Sequence, residues 1–126
     1  MGMLLFILAR SKFASFLIGF AFAHMSFAIP VHRLRETQTL IAFYHPKPSY
    51  AVHILLVPKQ AVASLMALGP DDAAFLTDLL ATVQSLVREL NLEPVGYRLI
   101  ANGGEYQDVP QLHFHLVSGG PNTPDP

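Results

Sequence analysis

The chain has no cysteine in its 126 residues, which excludes disulfides, thiolate zinc sites and a cysteine nucleophile together. The same absence leaves the redox compartment open. Charge is also scarce: Asp, Glu, Lys and Arg make up 13% of the chain and nearly cancel, for a net charge of −1. No basic field draws the chain to nucleic acid, so any phosphate must be held by local groups. No internal repeat is present, and the length suits one domain with a short appendage.

What the chain has in excess is apolar side chains, at 52%, and they are unevenly spread. Met3 to Ala9 reads MLLFILA, Arg10 and Lys12 interrupt, and Phe13 to Pro30 follows without a formal charge. At ~1.5 Å per residue, this run is near the lower limit for crossing a bilayer's hydrocarbon core. Three readings stay open: a membrane or interfacial anchor, a helix packed on the domain or on a partner subunit, and a cleaved signal ending at Ser26-Phe27-Ala28. Arg10 and Lys12 precede the run while Arg33 and Arg35 follow it, so the positive-inside rule gives no orientation. The expected organisation is an apolar N-terminal helix over 1–28, a globular domain over 29–120 and a tail over 121–126. A cytoplasmic location is expected, with membrane contact through residues 1–28 where that segment is an anchor.

Within the domain, TLIAFY (Thr39 to Tyr44) and YAVHILLV (Tyr50 to Val57) are rich in β-formers and read as strands around the turn-forming HPKPS (His45 to Ser49). Gln60 to Leu68 reads as a short helix. Gly69-Pro70-Asp71-Asp72 signals the start of a longer one, with proline in the first turn and acids at the positive end of the dipole. Phe75, Leu76, Leu79, Leu80, Val83, Leu86, Val87 and Leu90 then recur at helical spacing up to Asn91. YRLIAN (Tyr97 to Asn102) is a third strand and Leu112 to Val117 a fourth, separated by a polar loop. Strands, one long helix and more strands imply an α+β fold with an antiparallel sheet, one face covered by that helix.

The fourth strand carries the chemistry. In VPQLHFHLVSGG (Val109 to Gly120), Gln111, His113 and His115 occupy alternate positions, while Leu112, Phe114 and Leu116 enter the core. An exposed polar face with incidental histidines is one explanation. A second is a His-x-His metal grip, with His53, His45 or Glu105 as third ligand, since Gln111 is a poor zinc ligand. In a third, one imidazole is a nucleophile. Its pKa of ~6.5 leaves it neutral at pH 7, and it can attack phosphorus and depart again.

VPQLHFHLVSGG resembles the histidine-triad signature, with Gln111 standing at the first histidine. AFYHPKPSYAVHILLVPK (Ala42 to Lys59) resembles that family's upstream strand-loop-strand block, whose further histidine is here His53. GYRLIANGG (Gly96 to Gly104) is similar to its strand ending in a phosphate-site asparagine, here Asn102. The three blocks occur in family order and cover about Ile29 to Gly120.

This resemblance implies a histidine-triad (HIT) fold: an antiparallel sheet of about five strands packed by one long helix. It implies a nucleotide-binding homodimer, without cofactor or metal, that cleaves or transfers at the α-phosphate of a nucleoside phosphoramidate, dinucleotide or related ester. His113 would be the nucleophile and form a nucleotidyl-histidine. His115 would contact phosphate and assist the leaving group, and His53 would support the cluster. Asn102, Tyr106, Gln107 and Asp108 would line the phosphates, His45 and Pro46 would match the ribose contact, and Phe43 would lie near the base. Three departures stand out: Gln111 cannot hold a proton, His45 replaces an acidic ribose contact, and Asp108 puts a carboxylate where a small hydroxyl usually meets phosphate. A nucleotide-binding or sensing module with little turnover is the alternative, and a metal-binding His-x-His protein the third.

Overall fold

Ile54 to Val57 form an uninterrupted apolar run, and such a run suits a strand buried on both faces. In the computed structural model, which describes residues 32–121, it lies in the middle of a sheet. The strands are β1 (Arg35–Glu36), β2 (Leu40–Tyr44), β3 (Tyr50–Pro58), β4 (Arg98–Ala101) and β5 (Phe114–Pro121). Their order across the sheet is β1-β2-β3-β5-β4, and every neighbouring pair is antiparallel. The helix α1 (Ala73–Glu89) joins the two halves. The expected antiparallel sheet of about five strands with one long helix is the one observed.

Period-two alternation sorts the side chains onto two faces. Leu40 and Ala42 of β2, Ile54 and Leu56 of β3, and Phe114 and Leu116 of β5 pack with Phe75, Leu79, Val83 and Leu86 of α1. The opposite face carries Ile41, Phe43, Leu55 and Val57, all buried, and beside them His53 and His115. Chemistry and helix therefore occupy opposite sides of the sheet.

A 3-10 turn (Pro70–Asp72) leads into α1, and the Gly69 N–H donates to Asp72 Oδ2 at 2.9 Å. At the other end Asn91 adopts a φ of +55°. The Leu92 N–H donates to the Val87 carbonyl at 3.0 Å and the Asn91 N–H to the Arg88 carbonyl at 3.2 Å, a Schellman closure. The apolar stripe is wider than the sheet contact, so Leu76 and Leu80, on one flank, remain 43% and 59% exposed.

The structure departs from the sequence-based reading in several places. Gln60 to Leu68 is not a helix; only Leu65–Ala67 forms a 3-10 turn. Leu112 N–H donates to the Val62 carbonyl at 2.7 Å, and Pro70 disfavours helical geometry before it. Strand β4 is shorter than Tyr97 to Asn102. Strand β5 begins at Phe114, where its ladder with both neighbours starts, and runs to Pro121, which pairs with Tyr50. The apolar segment 1–28 and residues 122–126 lie outside the described residues. Among the described residues, no helix is long and apolar enough to cross a membrane.

Near its end β5 carries one residue more than β3 between paired positions, because Val52 pairs with Ser118 but Tyr50 with Pro121. Gly119 sits in this bulge with φ +84°, and a Cβ there would come 2.8 Å from the Ala51 Cβ. Gly119→Ala should therefore destabilise the fold by about 1–3 kcal/mol, through left-handed strain and overpacking together. Urea denaturation checks this, and an unchanged midpoint would refute it.

Candidate active site

The register of β3 and β5 sets Leu55 opposite His115 and His53 opposite Val117, which makes the two histidines diagonal neighbours on one face. His53 Nε2 and His115 Nδ1 are 2.9 Å apart. The Ser49 N–H donates to His53 Nδ1 at 3.0 Å, so the proton of neutral His53 is on Nε2 and is donated to His115 Nδ1. The proton of neutral His115 must then be on Nε2, a buried atom with no hydrogen-bond partner among the described residues.

His113 is oriented separately. Its Nδ1 is 2.8 Å from the Gln111 carbonyl oxygen, which can only accept, so Nδ1 carries the hydrogen and Nε2 holds the lone pair. The His113 and His115 rings meet edge to face at 5.0 Å between centroids. His45 completes a row of four rings, 4.4 Å from His53 by centroids, and its Nδ1 accepts the Lys47 N–H at 2.9 Å.

Burial pushes the His115 pKa down to about 3, with His113, His53 and His45 adding to the effect. His45 is pushed down to about 4, by burial first and then by His53 and His113. Burial also lowers His53 and His113; for His113 the bond to Gln111 and the Asp108 carboxylate act in the opposite direction. All four rings are thus held neutral at pH 7.

A cavity of about 110 Å³ opens beside them. His45, His113 and His115 line one part, and Asn102, which directly follows β4, another. The rest is a loop bearing Tyr106, Gln107, Asp108 and Val109. That loop is fixed by a 3-10 turn (Gly104–Tyr106), with Gly104 at φ +58°, and by Gln107 Nε2, which donates to the Ala63 and Val109 carbonyls at 2.7 and 2.9 Å. A cavity near Thr39, Lys59 and Phe75 and a groove along Arg98 and Gly119 contain no histidine.

Seven of the expected site residues therefore meet at this cavity: His45, Asn102, Tyr106, Gln107, Asp108, His113 and His115. His53 stands behind His115 as its hydrogen-bond partner. Gln111 and His113 precede β5 rather than forming a strand row with His115, and they are only 1% and 8% exposed. The Gln111 amide donates to the Gln60 carbonyl at 3.2 Å, and its side chain does not line the cavity. Phe43 is buried on the histidine face and Pro46 is exposed in the loop after His45; neither lines the cavity. Sequence reasoning missed Val109, whose signal was an apolar residue inside a polar loop. Among the described residues no three His, Asp or Glu side chains are placed to hold a metal ion.

The lowered imidazoles have a consequence for stability. The unfolded chain binds protons near pH 6.5, whereas the folded chain resists them until lower pH. Between these limits the unfolded state holds more protons, so stability rises with pH. It should be complete above about 6.5 and fall as the pH drops towards 4. Urea midpoints measured across this range check the prediction, and a flat profile would contradict it. The His45→Asn and His115→Asn pair should flatten the slope.

Residues 26–122 match the family model for the HIT domain. An uncharacterized HIT-like protein of Helicobacter pylori is 33% identical over 93 residues, covering 72% of this chain and 86% of its own length. A Candida albicans protein named adenosine 5′-monophosphoramidase is 35% identical over 97 residues, 71% of this chain and 62% of that one. Among solved structures, a HIT family hydrolase from Legionella pneumophila superposes with a TM-score of 0.68 at 29% identity, covering 74% of this chain and 85% of its own.

Proposed function

The chain belongs to the HIT domain family, and on that premise we propose that it is a nucleotide-binding hydrolase acting at the α-phosphate of a nucleoside phosphoramidate or related ester. The observation that carries this reading is the tautomer of His113. Donation from Nδ1 to the Gln111 carbonyl makes Nε2 the nucleophilic position of a ring that lines the cavity. Attack forms an Nε2–P bond as the bond to the leaving group breaks, and water then displaces the histidine. The Nε2–H of His115 donates a hydrogen bond where charge develops, and His53 holds it in that tautomer. Asn102 and the loop from Tyr106 to Val109 bound the phosphoryl group.

His113 is buried and its pKa lowered, so the acid limb of activity belongs below 6.5 rather than at the ordinary imidazole value. The family's first histidine is matched by Gln111, which contributes its backbone carbonyl to His113 and spends its amide on Gln60.

Incubation with an adenosine 5′-phosphoramidate, followed by product assay and intact mass, tests the proposal. Release of AMP with a transient adenylylated protein is the expected result. Binding without product would instead favour a nucleotide-sensing module, a reading supported by the carboxylate at the cavity wall.

The active unit is a homodimer in this reading. Among the described residues, strand β4 is an open sheet edge of four residues; Leu99 within it and Tyr97 just before it are 42% exposed each, and Leu76 and Leu80 add apolar surface on the helix. A second copy would cover such an edge through an isologous contact. Leu99→Asp should shift sedimentation from dimer to monomer; a wild-type chain that is monomeric at high concentration would rule the dimer out.

A further inference from the structure

Among the described residues, no lysine or arginine lines the cavity assigned above to a phosphoryl group. Its imidazoles are held neutral by burial, so they offer dipoles rather than positive charge. Among the described residues, the one formally charged side chain on its wall is negative: Asp108, which lies close enough to His113 to act on it electrostatically. No salt bridge among the described residues engages Asp108. Glu105, three residues earlier in the same loop, is exposed and does not line the cavity.

A carboxylate beside a phosphate repels it, and in a partly desolvated cavity the repulsion is strengthened. A cation between them reverses the sign. Resting on the hydrolase reading above, we propose that Asp108 is a specificity-determining residue that selects substrates whose leaving amine bears a second, positively charged group, that is, nucleoside phosphoramidates of diamines. Both ends of such a ligand find their complement. The phosphoryl oxygens meet imidazole and amide donors, and the ammonium meets the carboxylate.

The chemistry balances without an added reactant. The His113 Nε2–P bond forms as the P–N bond breaks, and the amine takes a proton from solvent and leaves. Water then displaces the histidine, returns that proton to solvent, and yields the nucleoside monophosphate.

Three adenosine 5′-phosphoramidates of similar length separate the possibilities: those of 1,4-diaminobutane, butylamine and 4-aminobutyrate, with cationic, neutral and anionic ends. The full chain should show a kcat/KM about tenfold higher for the cationic than for the neutral compound, and lowest for the anionic one. The ranking should compress in high salt. Asp108→Asn should bring the three to within about threefold, and Asp108→Glu should keep the order. Equal cleavage of the three by the wild-type chain would overturn the role of Asp108 and leave the hydrolase reading standing. So would an unchanged ranking in Asp108→Asn, or one abolished only by Glu105→Gln. Cleavage of none of the three would overturn both.

Discussion

His113→Ala should lower turnover of an adenosine phosphoramidate at least about a thousandfold, since it removes the nucleophile and forces water to attack phosphorus directly. The loss should appear in kcat and should not be rescued by saturating substrate. Removing the ring also frees the Gln111 carbonyl, so part of the effect could be structural, and His113→Asn separates the two. An asparagine amide can still donate to that carbonyl from roughly the Nδ1 position, yet it offers no nucleophile. Both variants should be equally inactive, with His113→Asn closer to the wild-type unfolding midpoint. The adenylylated species seen by mass should vanish in both. A variant that keeps near-wild-type turnover would remove His113 from the mechanism.

Much of the fold was legible in the sequence, for reasons that differ between elements. Strands β2 and β3 announce themselves as runs of β-formers either side of His45 to Ser49, and α1 by its apolar period and by the Gly69-Pro70-Asp71-Asp72 start. Strand β1 was not legible, because its two residues, Arg35–Glu36, carry no pattern. It is held to α1 instead, where Arg35 donates to Ser85 Oγ and meets Glu89. Gln60 to Leu68 misled because its composition suits a helix while its backbone bonds to the lead-in of β5.

At the site, the alternation of Gln111, His113 and His115 singled out two residues that line the cavity, His113 and His115, but not the arrangement of the three. The His53–His115 bond depends on the register between β3 and β5, which no local pattern encodes. The tautomers depend on backbone groups, the Ser49 N–H and the Gln111 carbonyl, whose part is independent of the side chains found there. Only once those bonds are placed does His115 change character, from a candidate acid to a neutral donor.

That change makes the effect of His115 testable. With its pKa pushed down to about 3, His115 holds no imidazolium to give up at neutral pH. What it offers is a fixed Nε2–H dipole, buried and without a partner among the described residues, beside the ring of His113. A donor already aimed at developing charge needs no reorganisation during the reaction, and losing one such donor typically costs about a hundredfold in rate. His115→Asn is the discriminating variant, because the shorter amide can still accept from His53 near the old Nδ1 position but cannot reach the place of Nε2. With an alkylamine leaving group, where charge on the departing nitrogen is large, the rate should fall by about a hundredfold. With a p-nitrophenolate leaving group, which departs unaided, the fall should be under about tenfold. The neutral donor also predicts no alkaline limb from His115 between about pH 5 and 8, unlike a histidine acting as a proton store. Equal losses for both leaving groups would move the His115 hydrogen bond from the departing atom to a phosphoryl oxygen, and an alkaline limb lost in His115→Asn would show that the ring is charged in the working enzyme.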